Sequence, residues 1–319
     1  MKFKTDTFVL FIIAVIVLAY FFPQWGSNKS AVPLDTIGSV GISLIFFFYG
    51  LKLSPDKLVA GLKNWKMHVL IHVSTFLFFP LVVLPFYPLA KIFQEETLWL
   101  SVLFLAALPS TVSSSVVMVS IARGNIPAAI FNASISGIIG ILITPLWMGL
   151  FLQTSTAGFD LGIIYKKLIV EIMLPVLAGI LLQRFGGKYA VRYSKYLSMF
   201  DKSVILLIIY KSFAESFEEK IFSNMRWTHL LLLSIIVTGL FFFIYFLTGS
   251  IAKRLQFSIE DRITAQFCGT KKSLIHGTVF SKILFSHTAA IGIILLPLML
   301  FHAFQIFFVS FIATKLGKR

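Results

Sequence analysis

The chain of 319 residues is 58% hydrophobic and only 13% charged, with a mean hydropathy of +0.91. Soluble domains carry about 45–50% apolar and about 25% charged residues, so the apolar surplus has to face lipid. Disorder, collagen-like repeats and a disulfide scaffold are excluded by the same figures, Cys268 being the only cysteine. The 28 basic residues outnumber 13 acidic ones but are scattered between apolar runs, a pattern of membrane topology that argues against a nucleic-acid partner.

A spanning helix needs about 20 mostly apolar residues. In chain order, runs of that kind fall at 7–23, 34–51, 66–88, 98–121, 126–153, 165–183, 197–213, 228–250, 263–285 and 288–313. The first starts with Lys2 and Lys4, as a signal peptide does. Phe21-Phe22-Pro23-Gln24-Trp25 then offers no small-x-small cleavage site, so the run reads as an uncleaved span. The ninth is interrupted by Cys-Gly-Thr-Lys-Lys-Ser at 268–273. With the N-terminus inside, eighteen Lys and Arg residues fall in inner loops and seven in outer loops. Positive residues favour the cytoplasmic side. Both termini are therefore expected in the cytoplasm, with an even number of spans crossing a plasma (inner) membrane.

The Gly-, Thr- and Ser-rich stretch 153–165 divides the ten runs into two sets of five, 1–153 and 165–319. Five is odd, so a second copy of the first half would sit inverted in the bilayer. Polar breaks fall in the fourth run of each half, at 108–115 (Leu-Pro-Ser-Thr-Val-Ser-Ser-Ser) and at 268–273. Paired interruptions in corresponding halves are the best sequence pointer to a transporter site. Non-helical backbone is tolerated at membrane depth only where it is buried in protein or lines a watery cavity. Each break also frees a half-helix N-terminus that attracts anions and a C-terminus whose carbonyls attract cations.

Lys271 and Lys272 stand in the second break, where translocon scales price a lysine at a helix centre at about 2.5–3.5 kcal/mol. The polar groups expected around them are Ser113, Ser114 and Ser115 from the other break, with Asn132 and Ser136, which share a helix face one turn apart. Glu171, four residues before Pro175, is the acidic residue read as clearly inside a run. It is a site candidate, set against snorkelling beside Lys166 and Lys167. His276, one turn beyond the second break, is a further candidate. His68 and His72 have metal-pinching spacing but no third ligand. They read as packing residues, with His68 at the cytoplasmic interface. No nucleotide loop or HExxH motif occurs. A serine of 113–115 with Lys271 as base would make an intramembrane hydrolase, but no oxyanion-hole motif accompanies the pair, and the chain reads as a non-enzyme. A membrane regulator that keeps the fold without transporting is a third class.

Phe-Phe-Phe-Tyr-Gly-Leu-Lys-Leu-Ser-Pro (46–55), Leu-Pro-Ser-Thr-Val-Ser-Ser-Ser-Val-Val-Met (108–118), Ala-Arg-Gly-Asn-Ile-Pro-Ala-Ala (122–129) and Phe-Cys-Gly-Thr-Lys-Lys-Ser-Leu (267–274) resemble the bile acid:sodium symporter family, solute carrier family 10. The Lys-Lys form is similar to the SBF-like subgroup that includes the seventh human member. The resemblance implies an all-α polytopic fold of ten helices in two inverted five-helix repeats. Broken helices 4 and 9 would cross in a core domain beside a panel domain. It further implies sodium held by hydroxyls and amides of helices 4 and 5, here among Ser113, Ser114, Ser115, Asn132, Ser134 and Ser136. Thr75 stands where helix 3 would give a glutamine. The helix 9 carboxylate has no counterpart: Gln266 or Phe267 stands in its place, and Lys271 or Lys272 stands where the helix 9 glutamine and its neighbour would be, in a stretch that includes Thr270 and Ser273. Exchanging a carboxylate for ammonium groups opposes cation binding, and an ammonium can itself fill a sodium site. The expectation is an alternating-access secondary transporter for a small organic anion, without a cofactor and not driven by sodium. The alternative is a sodium-coupled, bile-acid-like symporter with the ion at Ser114, Ser115, Asn132 and Ser136. Sodium or a proton are the candidate coupling ions, and the lipid bilayer is the partner. The topology is checked by labelling: Glu218→Cys should react with an impermeant maleimide from outside intact cells and Lys195→Cys should not, and the reverse pattern would overturn it.

Overall fold

The computed structural model describes residues 7–26, 30, 32–53, 64–111, 113–155, 160–286, 288 and 290–319. The described residues are helical, with turns and short connections and no strand. In chain order the main helices are α1 (Thr7–Phe21), α2 (Leu34–Lys52), α3 (Trp65–Ile92), α4 (Glu96–Ala107), α5 (Ser113–Ile121), α6 (Ile126–Ser155) and α7 (Leu161–Leu181). They continue as α8 (Gln183–Arg192), α9 (Ser194–Glu218), α10 (Trp227–Arg254), α11 (Ile259–Thr270), α12 (Leu274–Leu284) and α13 (Ile291–Gly317). Five of them, α2, α3, α6, α10 and α13, are each long and apolar enough to cross a bilayer alone, which makes the chain an integral membrane protein.

Every expected run coincides with helix, with three differences. The run 98–121 is two helices, because Pro109 cannot continue α4. The break itself is narrower than the polar motif: only Leu108 to Thr111 leave the helix among the described residues, and Ser113 to Ser115 are already the first turn of α5. In the second break Cys268, Gly269 and Thr270 stay helical, and only Lys271, Lys272 and Ser273 are extended or irregular. The run 165–183 begins earlier, at Leu161, because Asp160 caps it by accepting the N–H groups of Gly162 and Ile163. It ends in a bend of 99° to α8. Glu171 is also not alone: Asp201 already falls inside the expected run 197–213, and Glu215 joins it because α9 continues to Glu218.

Contacts divide the chain into two compact units. The first comprises Met1–Ser54, Asp160–Met225 and Thr278–Leu295, and the second Pro55–Phe159, Arg226–Gly277 and Leu296–Arg319. The first is built from α1, α2, α7, α8 and α9. Its tightest seam joins α2 to the second half of α7, where a Cβ on Gly50 would run into the Val176 carbonyl and one on Gly179 into that of Phe47. The two backbones touch there without side chains between them, the way membrane helices without a hydrophobic drive gain dispersion contact. The second unit is built from α3, α4, α5, α6, α10 and α11, and its interior holds Phe79, Phe104, Phe241, Phe267 and Phe301. Both broken helices meet within it. Gly179→Ala should overpack the α2–α7 seam and cost about 1–3 kcal/mol, read as a lower melting temperature of the detergent-purified chain. An unchanged melt would show that the seam can open.

Candidate functional site

The two breaks form one polar centre in the second unit, and its order follows from the carbonyls that each break releases. The last carbonyls of a helix have no partner within it, and at membrane depth each needs one. At the end of α4, Leu105 receives the N–H of Leu108 at 3.3 Å. Ala106 receives Lys272 Nζ at 2.6 Å and Ala107 receives Thr144 Oγ1 at 2.8 Å. Leu108 receives Lys272 Nζ at 2.8 Å, and Pro109 receives the Ser273 N–H at 2.9 Å. Ser110 then ties the two breaks together. Its N–H donates to Ser136 Oγ at 2.9 Å and its hydroxyl to the Cys268 carbonyl at 2.6 Å.

The third carbonyl on Lys272 comes from a defect in α3. Pro80 has no N–H to give the carbonyl four residues before it, and the helix answers with a π-turn at Ser74–Phe78. There the Phe79 N–H bonds back to the Ser74 carbonyl, which leaves the Thr75 carbonyl to accept Lys272 Nζ at 2.7 Å. The Phe76 carbonyl, deprived by Pro80, accepts the Trp147 indole N–H at 2.8 Å instead. All three ammonium hydrogens of Lys272 are thus matched to carbonyls, and the Phe79 ring lies 4.1 Å from Nζ in cation–π geometry. Gln305 clasps the same residue's peptide from α13, accepting its N–H and donating to its carbonyl, each at 2.9 Å.

Lys271 is equally buried but points elsewhere. Its Nζ donates to Ser114 Oγ at 2.8 Å in the first turn of α5, and Ser114 reaches Thr111 Oγ1 at 3.3 Å. No carboxylate pairs with either lysine among the described residues, and Cys268 is the titratable neighbour of Lys271. The Lys271 ammonium thus lies at the N-terminus of α5 and the Lys272 ammonium at the C-terminal carbonyls of α4, the end where the helix dipole favours positive charge.

The other expected residues go to separate partners. Thr75 Oγ1 bonds the Ile71 carbonyl at 2.9 Å, Thr270 Oγ1 that of Gln266 at 2.6 Å, and Gln266 Nε2 that of Tyr245 at 3.2 Å. Ser273 Oγ accepts the His276 N–H at 3.3 Å and shares a 2.9 Å hydrogen bond with His276 Nδ1, capping α12. Ser134 is buried, and Ser115 is buried with no hydrogen-bond partner for its hydroxyl. The side chain of Ser113 lies outside the described residues. Asn132 pairs with His68, the two side chains approaching to 2.9 Å, and donates to the Ala128 carbonyl at 2.8 Å. This corrects the placement of His68 at an interface: it is 7% exposed, because α6 offers it the Asn132 amide. His72 packs against the Phe76 ring. Glu171 belongs to the first unit, where it lines a cavity, and its backbone carbonyl, deprived by Pro175, receives Ser43 Oγ at 3.3 Å. Gln305 carries no motif, and a lone carboxamide inside the last apolar run is the one sequence signal it gives.

The two lysines should respond differently to truncation. Lys272→Met leaves three buried carbonyls without a donor, at about 1–3 kcal/mol for each unmet group, so it should lower the melting temperature strongly. Lys271→Met gives up one hydrogen bond and should change it little. Thermal melting followed by size-exclusion chromatography separates them, and the opposite order would refute the assignment.

Known proteins with related sequences accord with a transport scaffold. The SBF-like CPA transporter family matches residues 6–318. An uncharacterized protein of Pseudomonas aeruginosa, PA2026, is 37% identical over the whole chain and 95% of the relative. The putative symporter YfeH of Escherichia coli is 34% identical over 98% of the chain and 93% of the relative. The sodium/bile acid cotransporter 7 of Danio rerio is 30% identical over 95% of the chain and 91% of the relative. A match that runs nearly from end to end places the chain in the SBF-like CPA transporter family, and it is a membrane transporter rather than an enzyme.

Proposed function

We propose that this transporter moves a small organic anion by alternating access, with Lys271 as the anchor for the anion and Lys272 as a built-in substitute for a bound cation. The observation that carries this reading is the seat of Lys272 Nζ on the carbonyls of Thr75, Ala106 and Leu108. Those are the hard oxygen ligands that a sodium ion takes, and a sodium ion on the same oxygens would have to displace the ammonium. Lys271 holds one hydroxyl, from Ser114, and a carboxylate or sulfate reaching that hydroxyl would meet both the ammonium and the first-turn N–H groups of α5.

In this reading the ten runs are ten spans, related as inverted halves 1–153 and 165–319. The first compact unit acts as the panel and the second as the core. Both termini lie in the cytoplasm and the membrane is the plasma (inner) membrane. The working site comprises Ser114, Ser115, Thr270, Lys271 and Ser273, with Thr75, Asn132, Ser134, Ser136, Gln266 and His276 shaping it. A proton is the remaining coupling ion.

The sodium-coupled alternative draws support from the name of the fish relative, a sodium/bile acid cotransporter. Proteoliposomes decide between the two. Uptake of an organic anion such as taurocholate or a sulfated steroid should be unaffected by an inward sodium gradient. Lys271→Gln should reduce it at least tenfold with the melt unchanged, since a charged hydrogen bond is worth about 1.5–3 kcal/mol. Uptake that requires sodium and ignores Lys271 would overturn the proposal.

A further inference from the structure

The first unit contains a cavity of about 520 Å³ that the paired breaks do not use. Six ionisable side chains converge on it: Asp35 from α2, Lys167 and Glu171 from α7, Lys211 and Glu215 from α9, and Lys282 from α12. Three are cationic and three anionic, so the lining is close to neutral overall but strongly divided. Most of these charges already satisfy one another. Lys211 lies 2.6 Å from Glu215 and 3.1 Å from Asp35. Lys282 Nζ donates to the Asp35 carbonyl at 2.7 Å and to Ser39 Oγ at 3.0 Å.

Two charges are left over. Glu171 makes no ion pair among the described residues, and its Oε2 is buried without a hydrogen-bond partner. Lys167, one turn before it, is likewise without an ion pair. Both are close enough to Lys282 to contribute to its electrostatic surroundings, along with Asp35 and Lys211. A carboxylate oxygen shielded from water and unpaired is costly, and an ionisable group in a membrane-spanning segment points by default to a functional site. Of the uncharged wall, Leu34, Leu207, Ile208, Ile283 and Ile291 form an apolar part, and one threonine and three serines complete it.

We infer that this cavity is a binding site for an amphipathic zwitterion. The cationic group of the ligand pairs with Glu171, its carboxylate with Lys167 and Lys282, and its hydrocarbon lies along the apolar wall. A monovalent anion would leave Glu171 unmet, and a monovalent cation would leave Lys167 unmet. The volume falls in the range of about 300–1,000 Å³ typical of small-molecule pockets and exceeds what the smallest amino acids fill. Apolar amino acids and short peptides of them fit that description. The inference concerns binding in the first unit and does not depend on the transport reading.

The test is calorimetric titration of the full-length, detergent-purified chain with phenylalanine, leucine and leucyl-phenylalanine. Phenylpropionate and phenethylamine serve as single-charge partners of phenylalanine. At least one zwitterion should bind, with both single-charge compounds roughly tenfold weaker or worse, as expected when a charged group is left unpaired. Glu171→Gln should remove the preference over phenylpropionate, and Lys167→Gln the preference over phenethylamine, both with melting curves like the parent chain. Binding of a single-charge compound as tight as the zwitterion's, an unaltered preference in either folded variant, or no heat from any of the three zwitterions would overturn the inference.

Discussion

A carbonyl released inside a bilayer must find a donor, and the second unit is arranged around that obligation. Pro109 ends α4, Pro80 disturbs α3, and the second break ends α11, so oxygens from three helices face one region. Water could satisfy them only by making the centre wet. The chain instead supplies a lysine, whose three hydrogens match three oxygens at 2.6 to 2.8 Å. The desolvation cost of burying an ammonium is large, and it is offset because those carbonyls would be costly without it. Lysine and breaks therefore require each other. Gln305 extends the same logic to the peptide group of Lys272, whose N–H its carboxamide oxygen accepts and whose carbonyl its carboxamide nitrogen donates to.

Hydroxyls do the remaining work at lower electrostatic stakes. Thr144 and Ser136 each meet one backbone group of the first break, and the Ser110 hydroxyl meets the Cys268 carbonyl at the end of α11. Trp147 meets the Phe76 carbonyl and Ser43 that of Glu171, the oxygens that Pro80 and Pro175 deprive. At these two prolines a polar side chain of a neighbouring helix takes the place of the missing N–H. Where the helix also relaxes into a π-turn, as at Ser74–Phe78, a further carbonyl becomes available to something other than the helix.

The sequence makes the helices legible because bilayer thickness imposes a length and an apolar composition on each. Both breaks are legible too, since Pro109 and the Lys271–Lys272 pair conflict with the runs around them. What is not legible is pairing. Ser110 reaches Cys268 across 158 positions and Lys272 reaches Thr75 across 197, and no periodicity encodes which polar groups will meet. The hydroxyl-rich look of Ser113 to Ser115 suggested a wide break, yet serines are tolerated in a helix's first turn, and among the described side chains Ser114 is the one that reaches a lysine. Asn132 looked like a partner for the lysines because it shares a face with Ser136. His68, reading as an interfacial residue, reaches it instead. The charged cavity of the first unit was hidden for a similar reason: Lys282 and Lys211 each look like an isolated basic residue near the end of a run until folding brings them to Asp35.

The seat of Lys272 also bears on energy conversion. An ion that binds and leaves carries the free energy of its gradient into a transport cycle, because its chemical potential differs on the two sides of the membrane. An ammonium joined to the backbone by a four-carbon stem has no concentration on either side and cannot be exchanged. It gives the carbonyls of α3 and α4 the same positive charge at every external salt composition. Under the proposed reading this centre takes no sodium ion from its surroundings, and uphill movement through it draws on a different gradient.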